Sequence, residues 1–73
     1  MKTLATLKPG ETARIVDIQS STKGFTRRLC ALGIRPDANV KVIRNYWFFP
    51  LHICVGMTEI MMRKQYAKEI IVE

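Results

Sequence analysis

The segment Phe25–Pro36, FTRRLCALGIRP, decides the fold. Phe25, Leu29 and Leu32 fall at i, i+4 and i+7, which makes one apolar stripe of a short helix. Gly33 follows, with apolar Ile34 behind it. Glycine takes the left-handed cap position without steric cost, and the residue after it packs back on the last turn. Pro36 prevents continuation. The spacing predicts a helix around residues 25–32, about two turns long and the only substantial one in the chain.

The rest of the chain reads as strands and turns. Leu4 to Gly10 is an opening segment closed by a turn at Pro9-Gly10, since proline presets φ and glycine accepts positive φ. Thr12 to Ile18 (TARIVDI) is rich in β-branched residues and fits a strand. Its apolar set changes face between Ile15 and Val16, which predicts a bulge or strong twist there. Ser20 to Gly24 is a polar linker. Beyond the helix, Asn39 to Asn45 (NVKVIRN) alternates as a second strand. Leu51 to Val55 (LHICV) alternates cleanly, with Leu51, Ile53 and Val55 on one face. Gly56 begins a turn, and Thr58 to Arg63 (TEIMMR) is a fourth strand with Ile60 and Met62 on one face. Lys64 to Lys68 is one short helical turn around Ala67, and Glu69 to Val72 (EIIV) closes as a fifth strand. The expected fold is mainly β: a small five-stranded barrel with one short α-helix, closed so that no sheet edge is exposed.

Length and composition bound what such a domain can do. The chain has 73 residues, enough for a single domain spanning 1–73. A domain this size buries only about 60% of its unfolded surface, so its stability is modest. A hydrophobic fraction of 48% argues against disorder. Twelve Lys and Arg stand against six Asp and Glu, a formal charge of +6 that favours an anionic partner: nucleic acid, a lipid surface or an acidic protein face. The charges are scattered, which also suits plain solubility. There are two cysteines, Cys30 and Cys54, fewer than a small secreted disulfide framework carries. The first residues lack the apolar core of a signal peptide. No apolar stretch approaches the roughly 20 residues of a membrane span. A cytoplasmic protein with two reduced thiols is expected.

The order of these signals resembles the FeoA family, small SH3-like cytoplasmic proteins of bacterial ferrous iron uptake. The matching positions are Leu4, Leu7 and Gly10 in the opening; Ile15 and Ile18 in the first strand; Arg28, Leu29, Leu32, Gly33, Ile34 and Pro36 at the helix; and Gly56, Ile60, Met62, Arg63, Ala67, Ile70 and Val72 at the end. Each piece consists mostly of core and turn residues, and the specificity lies in the whole ordered set. The same barrel is implied for the C-terminal domain of iron-dependent repressors. The start at Met1 and the lack of a DNA-binding helix pair favour the free-standing protein. Two stretches depart from the pattern. Asp37 stands where the family has glycine after the proline, and Tyr46-Trp47-Phe48-Phe49 replaces a small or polar connection. The resemblance implies a partner, the membrane ferrous iron permease with its cytoplasmic G-protein domain, and an accessory or regulatory role toward it.

The aromatic run is the chief candidate site. The chain has six aromatic residues, and four of them, Tyr46 to Phe49, are consecutive. If Pro50 opens a strand, they form a connection at the barrel rim. Strand neighbours point to opposite sides, so at least two must be exposed. One reading is a hydrophobic docking knob; the other is that two rings fill the barrel mouth while the rest lie flat on the outside. Stacking on single-stranded nucleic acid is a lesser reading, since only Lys41 and Arg44 supply nearby positive charge. Lys23, Arg27, Arg28 and Arg35 surround the helix, either as a solvated face or as steering charge for an acidic partner. Partner contacts are therefore expected at Tyr46, Trp47, Phe48, Phe49, Arg27, Arg28 and Arg35.

Cys30, His52 and Cys54 carry the residue types of a zinc site, but no CxxC pair exists and a further ligand would have to come from Glu59 or another chain. No metal site and no cofactor are expected. A lone histidine without a convincing acid partner and the lack of a glycine-rich phosphate loop leave catalysis without support. Met57, Met61 and Met62 are expected as barrel filler. The alternatives to permease binding are a nucleic-acid-binding SH3-like module, a metal-responsive SH3-like domain, and weak self-association through the aromatic run.

Overall fold

The computed structural model describes residues 2–19 and 24–73. A 3-10 turn at Leu4–Thr6 is followed by strand β1 at Thr12–Ile18 and helix α1 at Phe25–Ala31. Strands β2 (Asn39–Arg44), β3 (Leu51–Val55) and β4 (Thr58–Met62), helix α2 (Lys64–Ala67) and strand β5 (Ile70–Val72) complete the chain. These elements fall where the sequence pattern puts them, within one residue at each end. The predicted linker before Gly24, Lys23 included, lies outside the described residues.

All five strands join in one antiparallel sheet in the order β4-β3-β2-β1-β5. Strand alternation chooses the inner face: Leu51, Ile53 and Val55 are buried, while His52 and Cys54 between them are half-buried on the outside. Val40 and Val42 from β2, Ala13 and Ile15 from β1, and Ile70 and Val72 from β5 meet them in one core. Leu4 and Leu7 from the opening segment, Leu29 and Ile34 from the first helix and its cap, Met62 from β4 and Ala67 from α2 join it. No polar or charged side chain is buried among the described residues. The stabilisation is therefore carried by apolar area, at about 1.5–3 kcal/mol for each large side chain fully removed from water.

The expected bulge in β1 is present. Ile15 pairs with Val72 and Asp17 with Ile71, so Val16 is the extra residue and stands 40% exposed. A second bulge, which the pattern did not announce, lies between Val42 and Arg44 in β2. The bulges bend the sheet into the SH3-like roll. The roll is not closed by hydrogen bonds, contrary to the sealed barrel expected. β4 and β5 are the two ends of the strand order, and β5 is only three residues long. The outer edge of β5 is covered by the opening segment, where Thr3 bridges Ile71 and the Val72 N–H donates to the Lys2 carbonyl. β4 remains an edge.

Helix α1 ends as its sequence predicts. The Gly33 N–H donates to the Cys30 carbonyl and the Ile34 N–H to the Leu29 carbonyl, the paired bonds of a Schellman cap, with Gly33 at φ 96°. Ile34 is fully buried. Leu32, however, is 43% exposed rather than part of the inward stripe. The helix closes at Ala31, so Leu32 is the cap residue, and Ile34 takes the inward place after the chain has turned. Phe25 instead packs on Tyr66 of α2, with ring centroids 4.7 Å apart. Two methionines also depart from expectation: Met57 is fully exposed and Met61 is 61% exposed. Met57 follows Gly56 in the two-residue turn between Val55 and Thr58, and Met61 alternates outward between Ile60 and Met62. Only Met62 fills the core.

Candidate functional site

The connection between β2 and β3 carries the aromatic run. The Phe49 N–H donates to the Tyr46 carbonyl at 3.2 Å, folding the four residues into one turn. All four rings are exposed: Tyr46 by 53%, Trp47 by 85%, Phe48 by 62% and Phe49 by 55%. None fills the barrel mouth. They pack on one another instead, Trp47 edge-on to Phe48 at 5.1 Å and Phe48 tilted on Phe49 at 4.6 Å. Tyr46 meets Phe49 edge-on at 6.2 Å. Offset and edge-to-face pairs of this kind are the favoured aromatic geometries.

The base of this loop is held firmly. Asn45 Nδ2 donates to the Leu7 carbonyl at 2.6 Å and to the Ala5 carbonyl at 3.3 Å, tying the loop to the opening segment. Lys64 Nζ donates to the Tyr46 carbonyl from the start of α2. The result is an apolar knob on an anchored stem.

The knob continues into a groove of about 360 Å³ lined by Arg44, Tyr46, Phe49, Pro50, His52 and Met61. Met61 also lines a second groove, of about 220 Å³, with Phe25, Arg28, Leu32, Arg63 and Tyr66. Met61 thus joins the aromatic loop to the exposed side of α1. The structure brings Arg28 into this surface through Met61. Arg27 and Arg35 are exposed but line neither groove; Arg35 faces a different hollow with Pro36 and Met57. Arg44, read from the sequence as charge beside the aromatic run, belongs to this surface, as do Met61 and Arg63, which the sequence pattern did not place there. The outward turn of Met61 was available from the Ile60-Met61-Met62 alternation, whereas the position of Arg63 depends on the fold.

The residues proposed from sequence as metal-ligand types do not converge. Cys30 is exposed on α1, Cys54 Sγ donates to the Gly56 carbonyl at 3.3 Å, and His52 Nε2 lies 2.8 Å from Glu59 Oε1. His52 therefore has the acid partner that the sequence did not disclose. Among the described residues no three His, Cys, Asp or Glu side chains gather as a metal-binding set.

Arg14 forms the other polar cluster. It reaches Asp37 Oδ1 at 2.5 Å and also contacts the Glu73 carboxylate, joining β1, the turn before β2 and the last residue. No helix among the described residues is long and apolar enough to cross a membrane.

Fold and surface together define a small SH3-like β-domain whose main surface feature is an anchored aromatic loop beside a basic, apolar groove. The FeoA domain model matches residues 2–73, and the chain belongs to that family, which is associated with ferrous iron transport. Among solved structures, the chain is similar to the zinc-complexed FeoA of Stenotrophomonas maltophilia, described as a procaryotic SH3 domain protein. The identity is 26% and the TM-score 0.86, with 100% of this chain and 91% of that one covered. It is also similar to an iron uptake regulatory protein, FeoA, at 24% identity and TM-score 0.89, covering 99% of this chain and 95% of that one. A manganese-dependent transcriptional repressor shares the fold at 17% identity and TM-score 0.86; there 97% of this chain matches 40% of the repressor. Among curated proteins no relative matches the sequence.

Proposed function

We propose that this chain is a cytoplasmic accessory protein of ferrous iron uptake that acts by binding the ferrous iron permease at its cytoplasmic G-protein domain. Membership of the FeoA family supplies the process. The observation that carries the binding reading is the aromatic loop, four adjacent rings held out in solvent on an anchored stem. Exposed aromatic clusters of this kind bury large area on a partner and dominate interface energies. Tyr46, Trp47, Phe48 and Phe49 serve as the apolar anchor, Arg28 supplies charge complementarity on the adjoining surface, and Arg27 and Arg35 add longer-range steering from elsewhere on the domain.

The test is a titration of the isotope-labelled chain with the G-domain of a ferrous permease from the same organism. Amide shifts concentrated at 45–50 and along 25–35 are expected. No shifts at high concentration would remove the G-domain as the partner. Trp47→Ala is expected to weaken binding by about 2 kcal/mol or more. Because Trp47 is 85% exposed, its removal should leave stability within about 0.5 kcal/mol of the parent. An unchanged affinity in that variant would remove the anchor.

A further inference from the structure

We propose that the two grooves sharing Met61 form one seat for a short acidic segment of the docking partner, a segment with apolar anchors flanked by carboxylates. The inference rests on the docking reading above and adds the chemistry of the segment received and the residues that select it: Leu32, Arg44, Met61 and Arg63.

Three observations carry it. Met61 and Leu32 are large apolar side chains that the core does not use, 61% and 43% exposed. Met61 lines both grooves, so the groove holding Leu32 on the helix cap adjoins the groove holding Tyr46 and Phe49 at the loop. The charge on this track has one sign: Arg28 and Arg63 line one groove, Arg44 lines the other, and no carboxylate lines either among the described residues. One carboxylate, Glu59, adjoins the track by pairing with His52. A segment with acidic flanks would meet a complementary potential there, and a basic one would be repelled.

The shape also selects the occupant. A bilayer is flat and would meet the convex tip, Trp47 and Phe48, which line neither groove. Stacking on nucleic-acid bases would use the most exposed rings, Trp47 and Phe48, which also line neither groove. Concave grooves bordered by arginines suit side chains of a peptide whose anchors recur at i, i+3, i+4 and i+7.

The experiment titrates the full chain with two peptides of roughly 12 residues, both with leucine at that spacing, one with glutamate at the remaining positions and one with lysine. The glutamate peptide should shift amides around Leu32, Arg44 and Met61 and bind at least ~10-fold more tightly than the lysine peptide. Met61→Lys, and separately the double variant Arg44→Glu with Arg63→Glu, should each lose at least ~10-fold of that affinity while keeping a dispersed amide spectrum. Equal binding of the two peptides, or shifts confined to Trp47 and Phe48, would overturn the seat. So would phosphatidylglycerol vesicles that engage the chain while the glutamate peptide does not. Repeating the variants against the permease G-domain separates the two readings. Loss with Trp47→Ala but not with Met61→Lys keeps the docking and overturns the seat. A peptide preference with no response to the G-domain keeps the seat and removes that partner.

Discussion

Asp37 holds a φ of 74°, the one non-glycine residue among those described in the left-handed region. Its N–H donates to the Ile15 carbonyl at 2.8 Å, so the turn cannot relax without breaking the contact with β1. A side chain in this region costs about 1–2 kcal/mol, least for Asp and Asn. Asp37 also meets Arg14, but both side chains reach solvent, and such surface pairs contribute about 0–1 kcal/mol. Asp37→Gly is therefore expected to change stability by no more than about 0.5 kcal/mol either way, Asp37→Ala to lose about 1 kcal/mol, and Asp37→Val to lose more. Urea midpoints for the three variants would check the order; a glycine variant as weak as the alanine one would shift the credit to the Arg14 pair. Asp37 stood out in the sequence as a departure from the family's glycine after Pro36, but its left-handed conformation was not read there. The fork from Arg14 to Asp37 and Glu73 was not legible either, since its partners lie 23 and 59 positions away.

At the scale of elements, local signals were strongest where the backbone itself imposes them. The Gly33-Ile34 stop is a two-bond cap that any sequence reader can find, and it holds a seven-residue helix too short to persist alone. A methyl group at Gly33 would lie 3.5 Å from Val55 Cγ1, an ordinary contact, so the cost of Gly33→Ala comes from φ 96°. Thermal or urea unfolding should show a loss of about 1–2 kcal/mol. The same cap explains why Leu32 was misread: the i+7 count runs past the last helical residue. The aromatic loop tests a different kind of support. Asn45→Ala removes both bonds to the opening segment and leaves the Leu7 carbonyl without that donor. A loss of about 1–2 kcal/mol is expected, together with faster amide exchange at 46–49. Unchanged exchange would mean that ring packing and Lys64 alone hold the loop.

For the whole molecule, element order was readable but adjacency was not. Strand alternation puts Leu51, Ile53 and Val55 inside whatever the roll does. That the sheet stays open between β4 and β5, and that Met61 bridges α1 to the loop at 46–49, depends on distances no local pattern encodes. The net charge of +6 belongs to this scale as well. Docking by arginines at the surface should weaken as salt rises past about 0.15 M, where the screening length is about 8 Å, while the aromatic contribution persists. A calorimetric salt series should therefore fall to a plateau in the parent and start near that plateau when Arg28 and Arg44 are neutralised. The chain keeps its only tryptophan on the aromatic loop. Trp47 sits at the loop tip with its indole 85% in water. Its emission should be red in the folded chain and stay red on unfolding, so fluorescence is nearly blind to the fold of this protein. The same signal turns blue when something covers the loop, which makes the protein a natural optical sensor of its own occupancy.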